Sequence, residues 1–471
     1  MVALLSEALP WSWLIDVNRA DLRGRGVLEG FWLEGPPPET TDDAELLDCV
    51  EQYGAGINHL SSGDSIQVVW DRNLAPHPPE QHYEHRAAQL VYAERMAEFD
   101  SMERWVTPCR LYLAHQFAPP VTSMFQAIIH GASSRHRSNK QILQDFAFGR
   151  FTSFRNAVKG AVTLRPMTQE QMFNDWFHLV TYNQYDLALP KPGVRLNKVI
   201  GMSERQINGT KPRIGNWELC PIVISHYPGQ TTAQMLKEIL ALPGHLTLSV
   251  RFTCMDPHEA QTEMEGEMNF WGQVMMRNWI SIFKAAIAGK EKSDRDADEQ
   301  IDEIEQEAIP ASRSGTAFGH MSVVVIVREY SPNHDRRLLE HRADEIVSLL
   351  NNKKIMARIE DDACARVIAN TWPGYIVLDR KEYQANRHKI LMTGDNMACV
   401  TLPATYWEGS RTIDSELYPK DTPCPFVIAG DSAEPFFWPT HDDGVGHMFW
   451  FGPNGVGKTA MMWDMLLSLL S

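Results

Sequence analysis

Eight consecutive residues near position 455 have the types and spacing to do chemistry: Gly452, Pro453, Asn454, Gly455, Val456, Gly457, Lys458 and Thr459. Glycines at 452, 455 and 457 carry no Cβ, so the backbone can bend tightly around phosphate oxygens. The loop N–H groups then point inward as donors. Lys458 would reach the β and γ oxygens of a nucleotide, where charge grows during phosphoryl transfer, and is the catalytic candidate. Thr459 offers a hydroxyl ligand to Mg²⁺. The helix that follows, with Ala460 in its first turn, places its positive end beneath the phosphates. The expected ligands are ATP and Mg²⁺. The motif is specific because its context agrees: Met448–Phe451 reads as a strand before the loop, and AMMWDMLLSLL as a helix after it.

Other clusters are weaker. His77, His82 and His85 fall close together, but Pro78 and Pro79 work against metal geometry. His441, Asp442, Asp443 and His447 are explained by a hairpin leading into the loop, although Glu434 or Asp443 could approach a nucleotide. No nucleophile triad can be argued. Residues 131–165 hold seven bases (Arg135, Arg137, Lys140, Arg150, Arg155, Lys159 and Arg165) against one acid. They could face DNA, acidic lipid or water.

The elements that must position these groups alternate between strand and helix. In segment 1–120, Gly26–Glu34, Asp64–Trp70 and Pro108–Ala114 read as strands, with helices at Asp43–Leu60 and Gln81–Trp105. This order predicts a split βαβ layer. In segment 121–256, Cys220–His226 and Leu246–Phe252 read as strands around a short helix at Thr231–Leu240. Segment 257–310 reads as one long helix. Met264, Met268, Trp271, Met275 and Trp279 recur every three or four residues, as packing rather than a cofactor box. It ends in an arm, Glu291–Glu307, with nine acids and two bases. In segment 311–420, Met321–Arg328 is the sharpest strand of the chain. It is followed by a helix at Pro332–Leu350, a strand at Lys354–Ile359, and a helix near Asp361–Asn370 with Asp361 or Asp362 available as its cap. Segment 421–471 opens the phosphate-loop unit. The fold class is therefore α/β: an α+β region with βαβ units and a long acidic helix, then the first strand, loop and helix of a RecA-like domain.

Composition narrows the setting. Of 471 residues, 44% are hydrophobic, enough for two or three cores. A net charge of −16, from 60 acids and 44 bases, disfavours nonspecific coating of DNA by the whole surface, though not by one patch. Seven scattered cysteines without a Cys-x-x-Cys pair suggest a reducing compartment and no zinc site. The first twenty residues make a poor signal peptide. No run of eighteen apolar residues occurs, so no single helix is expected to span a membrane, while peripheral docking stays open.

Four ordered segments carry a family resemblance. They are GVLEGFWLEGPPPETTDDAELL, ERMAEFDSMERWVTPCRLYLA, SGTAFGHMSVVVIVREYSPNHDRRLLEHRADEIVSLLNNKKIMARIEDD, and PFVIAGDSAEPFFWPTHDDGVGHMFWFGPNGVGKT, where Gly446 and His447 precede the last strand. Together they resemble the TrbE family of conjugative transfer ATPases, within the VirB/TrbE/CagE class of type IV secretion ATPases. The resemblance implies an N-terminal α/β domain before a RecA-like motor. It implies an oligomer in the bacterial cytoplasm, peripheral at the cytoplasmic face of the inner membrane. The implied partners are other channel and inner-membrane proteins, with at most indirect or weak nucleic-acid contact. The implied role is to energise channel or pilus assembly and conjugative DNA transfer. By position, Gly452, Gly455, Gly457, Lys458 and Thr459 would hold ATP and Mg²⁺. Asn454 and Val456 stand where the family more often has Thr and a small residue.

Only twelve residues follow Thr459, which is short for a motor domain. The expectation is a truncated or split product that binds ATP without turning it over. It would be an ATPase only with the rest of the motor. Two rivals remain: a non-catalytic scaffold of the same complex carrying a remnant loop, and a piece of another DNA-pumping P-loop motor.

Overall fold

The computed structural model describes residues 5–37, 41–75, 82, 85–101, 103–117, 149–191, 193–202, 205–207, 209–227, 233–256, 259–260, 262, 316–330, 336–375, 389–403, 405, 409–410, 412–413, 416–419, 422, 424, 427–429, 435–438, 441, 448 and 457–469. The chain divides into two compact units. One comprises residues 1–70, 109–239 and 247–404; the other comprises 71–108, 240–246 and 405–471.

The larger unit is a mixed α/β structure on one large antiparallel sheet. Its first half opens with a hairpin, β1 (Leu14–Asp16) and β2 (Arg19–Asp21), that feeds β3 (Gly26–Glu34). Helix α1 (Asp43–Ile57) links β3 to β4 (Asp64–Leu74). Asp42 caps α1 by accepting the Glu45 N–H at 2.8 Å. Helix α2 (Arg86–Asp100) and β5 (Trp105–Val106) come next in the chain and belong to the smaller unit. Strand β6 (Cys109–Gln116) returns between β3 and β4, antiparallel to both. Helix α3 (Thr152–Ala157) leads to β7 (Thr163–Pro166) on the outer edge of β3, and α4 (Gln169–Thr181) follows. The order β7-β3-β6-β4 is that of a β-α-β-β-α-β unit of the ferredoxin-like kind. The expected split βαβ layer is thus present, and β7 completes it.

The second half repeats the plan. A hairpin of β8 (Arg205–Gln206) and β9 (Arg213–Ile214) feeds β10 (Trp217–His226). Helix α5 (Lys237–Ala241) leads to β11 (His245–Cys254). Strand β12 (Phe318–Tyr330) inserts between β11 and β10. Helix α6 (Arg336–Asn352) then leads to β13 (Met356–Ile359) on the outer edge of β10, and α7 (Cys364–Asn370) follows. Even the registers agree. Pairing of β3 begins at Gly26 with β6 and at Phe31 with β7, an offset of 31 − 26 = 5. Pairing of β10 begins at Trp217 with β12 and at Ile222 with β13, an offset of 222 − 217 = 5.

The halves join along β4 and β11. The Gly63 N–H donates to the Cys254 carbonyl at 3.4 Å, and Gln67 Nε2 to Ser249 Oγ at 2.9 Å. One number rises as the other falls, so these strands are also antiparallel, and the strand order reads alike from either end. Strands drawn from segments 121–256 and 311–420 therefore interleave in one sheet. A short strand β14 (Ile390–Thr393) extends the pairing at the start of β12, followed by α8 (Gly394–Thr401).

One core cluster runs through both halves of this unit. Helices α4 and α7, equivalent in the two halves, contribute Met172, Phe173, Trp176, Val367 and Ile368 to it, against Val223, Val324 and Ile326 of the strands. Trp11 stacks on Trp176 with ring centroids 4.5 Å apart. Helix α4 is held at its start by a capping box between Thr168 and Gln171. In α1, a Cβ at Gly56 would stand 2.3 Å from Val158 Cγ1, so only glycine permits that approach. Helix α6 buries Leu339, Ala343, Ile346 and Leu350 at spacings of four, three and four. The cap of α7 differs from expectation. Its N-cap is Ala363, and Glu360 Oε1 takes the N–H groups of Asp362 and Ala363 at 3.1 and 3.0 Å. Glu360 comes before the turn, so its longer side chain can fold back over the helix end. The expected helix over 257–310 lies almost wholly outside the described residues.

In the smaller unit, β5 pairs with the end of β4, Asn73 opposite Val106 and Leu74 opposite Trp105. A two-stranded ribbon, β15 (Val427–Ala429) and β16 (Pro435–Phe437), supplies Val427 and Phe437 to a small core. The same core takes Ala88, Tyr92, Met96 and Phe99 from one stripe of α2, together with Cys424. The last helix, α9 (Lys458–Leu469), buries Met465 and is tied to α2 by an ion pair between Asp464 and Arg95.

Candidate functional site

Helix α9 begins at Lys458, immediately after the glycine-rich stretch. Gly457 has φ +86°, in the left-handed region, and a Cβ there would meet no atom within 4 Å. The demand for glycine at 457 is therefore conformational, not steric. The first helical hydrogen bond runs from Met461 N–H to Gly457 O at 3.0 Å. Earlier N–H groups of the helix start have no intrahelical acceptor, which is what makes a helix start a place for anions.

Gly457, Lys458, Thr459 and Ala460 are described; Gly452, Pro453, Asn454, Gly455 and Val456, with most of the expected strand before them, lie outside the described residues. Lys458 is half-buried, while Gly457, Thr459 and Ala460 are exposed. Thr459 is thus exposed at the helix start. The far end of the helix is anchored by Met465 and by Asp464 on Arg95. That anchoring fixes the direction in which the helix start points within its unit.

Only some members of the weaker histidine and carboxylate clusters lie among the described residues. His82 and His85 are exposed, and His77 is outside the described residues. His441 stacks edge-on against Tyr418 at 5.5 Å, while Glu434, Asp442, Asp443 and His447 are outside. Among the described residues no three His, Cys, Asp or Glu side chains gather as a metal-binding group. No helix among them is long and apolar enough to cross a membrane.

Of the four described bases of the run, Arg150 and Arg155 turn toward buried carboxylates, which a reading as a face for DNA, acidic lipid or water does not anticipate, whereas Lys159 and Arg165 are exposed. Arg150 Nε donates to Asp64 Oδ1 at 3.0 Å, Arg155 Nη1 to Glu29 Oε2 at 2.8 Å, and Arg165 pairs with Glu34. Lys159 is exposed, and Arg135, Arg137 and Lys140 are outside the described residues. The physical reason lies in the strands. Glu29 and Asp64 are buried there, and a buried carboxylate needs a cation. Burial pushes the Glu29 carboxyl up, more than the nearby Arg19 and Arg155 pull it down. At Asp64 burial also pushes upward, but bonds from His115 and Ser61 and the Arg150 guanidinium prevail, and its pKa is lowered.

One charged residue escapes a motif search. Arg251 lies alone in the apolar strand run Leu246–Phe252. A cation with no acid beside it in a buried strand is the signal that marks it.

No family model matches the chain. It is 25% identical over 481 aligned residues to a protein of Rhizobium radiobacter named conjugal transfer protein TrbE, covering 97% of this chain and 56% of that protein. It is 26% identical over 283 residues to a protein of Sinorhizobium fredii named as the second portion of a probable conjugal transfer protein TrbE, covering 60% of this chain and 40% of that protein. The chain thus spans about half the length of the curated relatives it matches. The likeness to TrbE read from four sequence segments extends over nearly the whole chain.

Proposed function

We propose that this chain is the ATP-binding component of a conjugative transfer system of the type IV secretion class. It would help to energise channel or pilus assembly and DNA transfer. In this reading residues 452–460 cradle the phosphates, Lys458 contacts the β and γ oxygens, and Thr459 ligates Mg²⁺. The loop and α9 open a RecA-like domain, and the two-half sheet is the α/β region that precedes it. The protein works as an oligomer at the cytoplasmic face of the inner membrane, beside other channel components, with at most indirect contact to nucleic acid.

The observation that carries the reading is local. A glycine in the left-handed region stands directly before a helix whose first residues are Lys458 and Thr459, within GPNGVGKT. The similarity to proteins named for conjugal transfer supports the wider context. The test is a titration of labelled ATP with Mg²⁺ against the full chain and its Lys458→Ala form. Affinity is expected to fall at least ten-fold, about 1.4 kcal/mol or more. Equal affinities would sink the reading and leave a scaffold with a remnant loop.

A further inference from the structure

The chain leaves α4 through residues 183–202, a connection with its own charge balance. No acid occurs between Asp186 and Glu204, while Lys191, Arg195 and Lys198 all fall there, and all three are exposed. The chain as a whole carries a net charge of −16.

The end of this connection lies against the start of the chain. Leu196 N–H donates to Ser12 O at 2.9 Å, Asn197 Nδ2 to Ser6 O at 2.6 Å, and Lys198 Nζ to Ser6 Oγ at 3.4 Å. Its apolar residues divide into two sets. Leu196 and Ile200 are buried in the core of the larger unit, with Leu187 and Val199 packed against it. Leu189, Val194 and Met202 stay outside, 38%, 46% and 81% exposed. Trp13, on the adjoining stretch, is 41% exposed and has the Arg195 guanidinium 5.3 Å from its ring centroid. Packing accounts for the first set and not for the second.

Single exposed apolar residues are ordinary. What sets these apart is the charge around them. Arg23 Nη1 donates to Glu7 O at 2.7 Å, which brings the exposed Arg23–Arg25 turn beside residues 6 and 7. The acids nearby are Glu7, Asp16 and Asp186; Asp16 bonds Arg19 at 3.2 Å, and Asp186 faces His178 at 3.2 Å. Five exposed bases thus stand against three acids, in a chain whose acids outnumber its bases by 60 to 44.

We propose that this surface docks on a membrane of anionic lipid. The inference rests on the reading that the protein works at a membrane face, and names the residues that meet it. Trp13, Val194 and Met202 enter the headgroup layer, and Lys191, Arg195, Lys198 and Arg23 meet the lipid phosphates. Long basic side chains lay their stems on apolar surface and keep their charged heads at the phosphates. A side chain as open as Met202 lines no pocket. Bases set among isolated apolar groups suit a fluid anionic layer better than the moulded face of a protein partner.

The test is flotation of the full chain with vesicles of phosphatidylglycerol and phosphatidylcholine, and with vesicles of phosphatidylcholine alone. Binding is expected to the first only, and to weaken with salt. Lys191→Glu with Arg195→Glu should weaken it at least ten-fold, and Met202→Ser by a smaller factor. Lys159→Glu, at an exposed base outside this surface, should leave it unchanged. Circular dichroism and the unfolding midpoint check that each variant is folded. If the double charge reversal does not fold, Lys191→Glu with Met202→Ser decides, because both residues are exposed. Binding that survives these substitutions, or that Lys159→Glu weakens as much, overturns this surface while a membrane location stands. Equal binding to phosphatidylcholine alone overturns the anionic preference. No binding to either vesicle overturns the docking and leaves an acidic protein as the partner of this surface; the ATP titration, which involves no lipid, still judges the nucleotide reading by itself.

Discussion

The half of the sheet built on β3 and the half built on β10 follow one plan but treat buried charge differently. In the first, Glu29 is bound by Arg19 and Arg155, Asp64 by Arg150 and His115, and Asp175 by Arg110 with Tyr112. In the second, Glu329 pairs with Arg342 and Glu360 with Arg358, while among the described residues Arg251 on β11 donates to neutral acceptors alone. Closed pairs of this kind hold a scaffold together. A buried charge without such a pair does not improve packing. Equivalent backbones have thus been given different electrostatic roles.

The largest effect expected from breaking this contrast is at Asp175. It is 3% exposed and engages both Arg110 and Tyr112. Asp175→Ala would leave a buried guanidinium without its partner and should cost about 3–5 kcal/mol. Urea unfolding measures it. A loss under about 1 kcal/mol would mean that the first half's pairs are not structural, and the contrast would fail.

A smaller effect separates two carboxylates within the first half by sign. Asp64 has a lowered pKa in the fold. Its contribution is therefore present above its unfolded value of 3.8 and is lost as the pH falls through the lower folded value. Asp64→Asn should cost about 1.5–3 kcal/mol near neutrality, the range for hydrogen bonds to a charged group, and progressively less in acid. Glu29 has a raised pKa, so its protonated form is favoured in the fold and stability falls as the pH rises through and above 4.5. Glu29→Gln should remove that opposite slope. Unfolding free energy measured from pH 3 to pH 7 compares the two, and slopes of the same sign would refute the assignment.

How much of this could be read beforehand follows from range along the chain. Strands β3, β4, β6, β10, β11 and β12 announce themselves as apolar runs, and the start of α9 is legible because its motif is local. Strand β7, with the sequence TLRP, is too short and polar to register, yet it closes the first half. The duplication is hidden because residues 75–108 separate β4 from β6, and residues 255–317 separate β11 from β12. Only the pairing registers bring the two halves into correspondence. Arg251 is harder still. Its role depends on Gln67, 184 residues away, and on Asn370, 119 residues away, and no window of sequence contains them. The inward turn of Arg150 and Arg155 is concealed for the same reason, since Asp64 and Glu29 lie 86 and 126 positions distant.

The mildest prediction tests whether the two halves are equivalent in backbone. Each feeding hairpin turns on a glycine in the left-handed region, Gly24 at φ +73° between β2 and β3 and Gly215 at φ +55° between β9 and β10. A Cβ at either position would meet no atom within 4 Å. Neither local hydrogen bond needs glycine: Gly24 N–H donates to Asp21 Oδ1 at 2.9 Å, and Gly215 O accepts from Arg213 Nε at 2.6 Å. Alanine preserves both bonds, so only the cost of the left-handed conformation changes, about 1–2 kcal/mol at each site. Gly24→Ala and Gly215→Ala should therefore destabilise to a similar extent in urea. If one is costly and the other neutral, the hairpins are not equivalent turns, and the correspondence of the halves starts only at β3 and β10.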